Sequence, residues 1–96
     1  PVVMKNSYSA FHGSAGVHMK QMLKEWDTRR FAVAGAFSDG CVDATVVHAF
    51  SLDYEVVVLG DLVAPYDSRR AQHDDLVTRK WPHMYGHVVN TVLPGE

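Results

Sequence analysis

The stretch Glu55-Val56-Val57-Val58-Leu59 decides the fold. It is β-branched and continuously apolar, which suits a strand covered on both faces, as in a parallel sheet. Gly60-Asp61 is expected to end it. Upstream, Cys41 to about Leu52 reads as a helix with Val42, Thr45, Val46, Ala49 and Phe50 inward. Before it, Phe31-Ala32-Val33-Ala34 is a second apolar run, ended by Gly35. Ser14 is placed to cap an earlier helix, in which Ala15, Met19, Met22, Leu23 and Trp26 share one face until Asp27 to Arg30 breaks it. Val2 to Met4 is a short first strand. Downstream, Ala64-Pro65-Tyr66-Asp67 is a loop, and Ser68 to about Lys80 is a more polar helix anchored by Leu76 and Val77. Pro82 is expected to stop that helix, and His87-Val88-Val89-Asn90-Thr91 is a weaker last strand.

The resulting order, β-α-β-α-β-α-β, predicts an α/β fold with parallel pairing and right-handed crossovers. Open parallel sheets bind ligands beyond the carboxyl ends of their strands. Lys5 ends the first expected strand, Cys41 follows the second and Asp61 follows the third, so connectivity alone puts all three on one edge.

The bulk properties agree with a single domain. The chain has 96 residues, 47% hydrophobic and 21% charged, with a net charge of −2 and scattered Lys and Arg. This excludes a disordered chain and offers no nucleic-acid footprint. There is no apolar run of about 18 residues, so no membrane span is expected. One cysteine excludes an internal disulfide and fits a reducing, cytoplasmic location. The opening Pro1-Val2-Val3-Met4-Lys5 reads as the interior of a strand, so the chain is expected to be a piece of something longer.

Cys41 is the candidate nucleophile. The reactive form of cysteine is the thiolate, and a helix N-terminus favours negative charge. Gly35 and Gly40 permit a tight turn whose backbone N–H groups could hold an oxyanion. The competing reading is a buried structural thiol. Lys5 could stabilise a thiolate or an oxyanion, or stand as a solvated lysine. Of the six histidines, His83 and His87 are four apart, but Pro82 and Gly86 argue against a shared helix. His12 and His18 share no helical face, and His48 reads as packed or exposed. No metal or other cofactor is assigned. Asp39 and Asp43 read as capping and dipole-complementing residues near a helix start, Asp61 as a loop-fixing residue, and Trp26 as core. His73, with Asp74 and Asp75, reads as a solvated helix face.

Two segments resemble a known family. Lys5-Asn6-Ser7-Tyr8-Ser9-Ala10-Phe11-His12-Gly13-Ser14 is similar to the lysine motif of the isochorismatase-like cysteine hydrolases. Gly35-Ala36-Phe37-Ser38-Asp39-Gly40-Cys41-Val42-Asp43-Ala44-Thr45 resembles the nucleophile turn of the same family. Asp53-Tyr54-Glu55-Val56-Val57-Val58, followed by Asp61, is similar to its next strand. The resemblance runs from Val2 to about Leu93. It implies a three-layer α/β/α, Rossmann-like architecture of which residues 1–96 are the C-terminal part. It further implies an Asp-Lys-Cys triad with Cys41 and Lys5 as two members, a cis peptide at Ala36–Phe37, and an oxyanion hole from the backbone N–H groups of Phe37 and Cys41.

The implied reaction is hydrolysis of a C–N bond in a small amide, carbamoyl or ureido compound. An aromatic residue at Phe37, where many family amidases carry Thr, resembles instead the branch that cleaves the vinyl ether of isochorismate. The family's aspartate lies upstream of the lysine, in a segment this chain does not contain. The expected partners are therefore an N-terminal half on another segment or chain, or a second copy of the chain. A non-catalytic or assembly subunit is the remaining alternative.

Overall fold

The computed structural model describes residues 4–5 and 8–90. Three parallel strands form one sheet in the order β1 (Arg30–Ala36), β2 (Glu55–Ala64), β3 (Gly86–Val89). Helix α1 (Gly13–Glu25) leads into β1, and α2 (Asp43–Ser51) joins β1 to β2. Helix α3 (Arg70–Asp75) and the π-helical segment Leu76–Tyr85 join β2 to β3. The α/β class and the parallel pairing are as the sequence predicts. The expected first strand falls at Val2 and Val3, outside the described residues, as does Thr91 of the last; Met4 and Lys5 belong to no strand.

Two matching turns set the strands parallel. Asp27 (φ 52°) follows α1 and Asp53 (φ 68°) follows α2, both in the left-handed region that short polar side chains tolerate. At each, the next N–H reaches back five residues: Thr28 to the Leu23 carbonyl at 2.8 Å, Tyr54 to the Ala49 carbonyl at 3.1 Å. This closes the last helical turn and aims the chain into the following strand. At their first residues β1 and β2 are joined by an Arg30–Glu55 ion pair of 2.7 Å. The hydrogen bond from Arg30 holds the Glu55 carboxyl below its usual range. This support is present at neutral pH and fades as acid protonates Glu55.

The core lies on one face of the sheet. Val56 and Val58 are buried there with Val42, Val46 and Ala49 of α2, Leu23 of α1, Leu76, Trp81 and Phe11, and Phe31, Val33 and Val88 pack against them. Parallel register puts Ala32 beside Val57 and Val33 beside Val58, so the other face carries Ala32, Ala34, Val57, Leu59 and Val89. On that face Ala32, Ala34 and Val89 are exposed, and Val57 and Leu59 half-buried. The valine run is thus covered on one face only by the described residues.

Several expectations are corrected. Strand β2 runs through Gly60-Asp61 to Ala64. Gly60 is buried, and a Cβ there would come within 2.9 Å of Val88 Cγ1, so the glycine admits β3 rather than ending β2. Helix α1 starts at Gly13, because the His12 carbonyl accepts the Gly16 N–H; Ser14 lies inside the helix. Trp26 is 58% exposed, since it sits past the last turn, beyond the buried stripe ending at Leu23. Phe50 is exposed and meets the Tyr85 ring edge-on. Pro82 lies within the helical segment instead of stopping it; the wider π-helical turn relieves the clash that proline makes in an α-helix. Among the described residues no helix is long and apolar enough to cross a membrane.

Gly16 gives a test of sign. Exposed-helix propensity makes Gly→Ala stabilising by about 1 kcal/mol. A Cβ on Gly16, however, would lie 2.1 Å from the Phe11 carbonyl oxygen, a backbone atom. Gly16→Ala is expected to lower stability by about 1–3 kcal/mol in urea unfolding. An increase in stability would show that the approach of α1 to the turn before it is loose.

Candidate active site

The site forms where β1 ends. Gly35 takes φ 119°, a conformation that excludes other residues, and the Ala36–Phe37 peptide bond is cis. The chain then enters a wide turn, Ser38–Val42. The Phe37 carbonyl accepts the N–H groups of Gly40 (3.0 Å) and Val42 (3.3 Å), and Gly40 departs from helical geometry at φ −116°, ψ −107°. Cys41 leaves this turn half-buried, just ahead of α2.

From Cys41 onward one helical face receives the segment that precedes α1. Lys5 Nζ lies 3.5 Å from Cys41 Sγ and also donates to the Tyr8 carbonyl at 3.3 Å. Thr45 Oγ1 accepts the Ala10 N–H at 3.0 Å. His48 Nδ1 shares a 3.0 Å hydrogen bond with Ser9 Oγ, which also accepts the Phe11 N–H. Cys41, Thr45 and His48 fall at i, i+4 and i+7, one stripe of a helix. Phe11 then enters the core between Phe31, Tyr54 and His48. A cleft of ≈ 270 Å³ opens at this junction, lined by Lys5, Ala10, Gly35, Cys41 and Thr45 among others.

The other side of the turn is braced by Arg69 just before α3, by α3, and by the segment after it. Asp39 pairs with Arg69 at 2.7 Å. Asp43 accepts Lys80 Nζ at 2.8 Å and Trp81 Nε1 at 2.9 Å. Neither aspartate caps a helix with its side chain, which corrects that part of the sequence reading, while each lies in the first turn of its helical segment, as dipole complementarity expects. His73 is 8% exposed and hydrogen-bonds the fully buried Ser38 through Nδ1 at 2.9 Å, so it is no solvated residue. A search for i, i+3, i+4, i+7, i+8 positions would have found it: His73, Leu76, Val77, Lys80 and Trp81 form the inward stripe. Asp61 lies inside β2, exposed, rather than beyond its end. The Phe37 ring stacks on Tyr66 at 3.6 Å and does not line the cleft. A larger surface cleft of ≈ 660 Å³ lies at Asp75, Arg79, Lys80, His83 and Met84. No cysteine, serine or threonine lines it, and Lys80 and Arg79 are engaged with Asp43 and Asp75. Among the described residues no three His, Cys, Asp or Glu side chains gather as metal ligands.

Thr45 tests how the lysine segment is held. Thr45→Val keeps the shape but leaves the Ala10 N–H without its acceptor, for an expected loss of about 1–3 kcal/mol. Thr45→Ser is expected to match the parent. Equal melting temperatures for all three proteins would contradict the bond.

Comparison with known proteins adds the lineage. The nicotinamidase from Staphylococcus aureus superposes with a TM-score of 0.77 at 24% identity, over 88% of this chain and 51% of that one. A cysteine hydrolase from Pseudomonas syringae pv. phaseolicola 1448A gives 0.80 at 21%, over 90% and 43%. An isochorismatase family protein from Burkholderia thailandensis gives 0.79 at 22%, over 90% and 42%. At these identities the likeness is one of fold, and the chain spans about half the length of these proteins or less. No curated protein matches the chain in sequence. The family model described as "Isochorismatase domain" matches residues 1–91, and the chain belongs to that family.

Proposed function

We propose that this chain carries the nucleophile of a cysteine hydrolase that cleaves the C–N bond of a small amide, carbamoyl or ureido compound. The observation that carries the reading is the 3.5 Å approach of Lys5 Nζ to Cys41 Sγ, beside the turn that ends β1. Membership of the isochorismatase family supports it, as do fold neighbours named nicotinamidase and cysteine hydrolase. The modest cleft suits a small substrate.

In this reading the Cys41 thiolate attacks the carbonyl carbon, and the C=O electrons move onto oxygen. Lys5 offers its ammonium to the negative charge, and the backbone N–H groups of Phe37 and Cys41 hold the oxyanion. Collapse breaks the C–N bond, and the nitrogen leaves as ammonia or amine with the proton that the base took from the thiol. Water then hydrolyses the thioester, freeing the acid and restoring Cys41.

The thiol proton needs a base. Asp39 is held by Arg69, and Asp43 by Lys80 and Trp81. The family resemblance implies an aspartate upstream of the lysine motif for this role, and we assign it to a segment outside residues 1–96 or to another chain. Two features favour such a partner: β1 pairs on one side only among the described residues, and its Ala32 and Ala34 are exposed. An unpaired apolar edge of this kind invites association. The second reading, vinyl-ether hydrolysis, is motivated by the aromatic residue at Phe37, whose ring stacks on Tyr66.

The test is ammonia release from primary amides and ureido compounds, by the chain alone and with the partner segment. Alkylating the single thiol and Cys41→Ala are both expected to abolish turnover, and Lys5→Ala to reduce it about 10²–10³-fold, the scale of losing an oxyanion-stabilising group. Full turnover in Cys41→Ala would refute the reading. Pyruvate release from isochorismate by that variant would favour the vinyl-ether reaction, and binding without turnover an assembly subunit.

A further inference from the structure

Between the turn and α3 lies a buried polar contact that the proposed chemistry leaves unused. Ser38 is 0% exposed and His73 8%, and the Ser38 Oγ–His73 Nδ1 distance is 2.9 Å. Among the described residues no buried side-chain nitrogen or oxygen lacks a partner, so removing either member orphans the other inside the core. The two flanking braces differ in kind. Arg69–Asp39 and Lys80–Asp43 are ion pairs that solvent still reaches in part, so their hold is weakened by water and salt.

Ser38 is also well placed to set the turn. It follows Phe37 directly and precedes Cys41 by three residues, and its carbonyl accepts the Asp43 N–H that opens α2. Its side chain is thus tied to α3 and its main chain to α2. Rotation of Ser38 would move the Phe37 and Cys41 N–H groups together, and with them Sγ relative to Lys5. We propose that His73 is a positioning residue which, through Ser38, holds the Phe37–Cys41 turn so that the thiol, the two backbone N–H groups and Lys5 converge. This rests on Cys41 being the nucleophile.

The experiment measures the rate of Cys41 alkylation by iodoacetamide at neutral pH in the full chain, with thermal unfolding in parallel. The thiol is the only one present, so no substrate is needed. Ser38→Ala and His73→Leu are each expected to slow alkylation about fivefold or more, since small misplacements of reacting groups have large kinetic effects. The double variant is expected to be no slower than either single one, as both break one contact. Ser38→Thr is expected to keep the parent rate. Should either disruptive variant fail to fold, His73→Asn and His73→Gln decide. Asn puts an amide where Nδ1 lies and is expected to keep the rate; Gln extends past it and is expected to lose it. Folded variants that all match the parent, or single effects that multiply in the double variant, would overturn this inference alone. A parent thiol no faster than free cysteine would overturn the nucleophile reading and this inference with it.

Discussion

The candidate site depends on the docking of the segment around Lys5–Phe11 onto one stripe formed by Cys41 and the helix α2 that follows it. Lys5 meets Cys41, Ala10 meets Thr45, and Ser9 meets His48. The lysine itself is exposed, and an exposed lysine holds no fixed position by its own packing. Its place beside the sulfur follows from two better-buried hydrogen bonds further along and from Phe11, 2% exposed, wedged into the core. Gly16 allows α1 to approach that turn closely. Core packing and reactive geometry are therefore coupled through a few residues.

On the opposite side, Arg69 just before α3, His73 of α3, and Lys80 and Trp81 of the π-helical segment hold the turn from Ser38 to Asp43 by contacts spread along it. The cysteine turn is thus clamped between two elements that come from before β1 and after β2. The first contributes Lys5 to the sulfur; the second carries a stripe of inward positions in which His73 and Lys80 stand among Leu76, Val77 and Trp81.

That explains what the sequence disclosed and what it hid. The valine run, the apolar run before Gly35 and the spacing of the helices were enough for class and parallel pairing. The lysine and cysteine motifs were legible as a resemblance. Three things were not. Gly60 read as a breaker, because its purpose, room for Val88, exists only once β3 is in place. Pro82 read as a helix stop, because single-residue rules assume α-helical geometry and the chain widens there instead. Asp39 and Asp43 read as capping groups, because their partners lie 30 or more residues away and pairing at that range leaves no local pattern; His73 read as surface because the neighbouring Asp74 and Asp75 drew attention from the inward stripe it shares with Leu76 and Trp81. The exposed face bearing Ala32 and Ala34 belongs with these: an unbroken apolar run says that a strand can be covered twice, not which chain covers it.

The central claim is that the Lys5 ammonium acts on the Cys41 sulfur. It is tested most directly by the rate of thiol alkylation in the parent and in Lys5→Met, followed from low to high salt. If the contact operates, the parent reacts faster at low salt, loses that advantage as screening sets in, and the variant reacts slowly at every salt concentration. Identical rates with identical salt dependence would contradict the account.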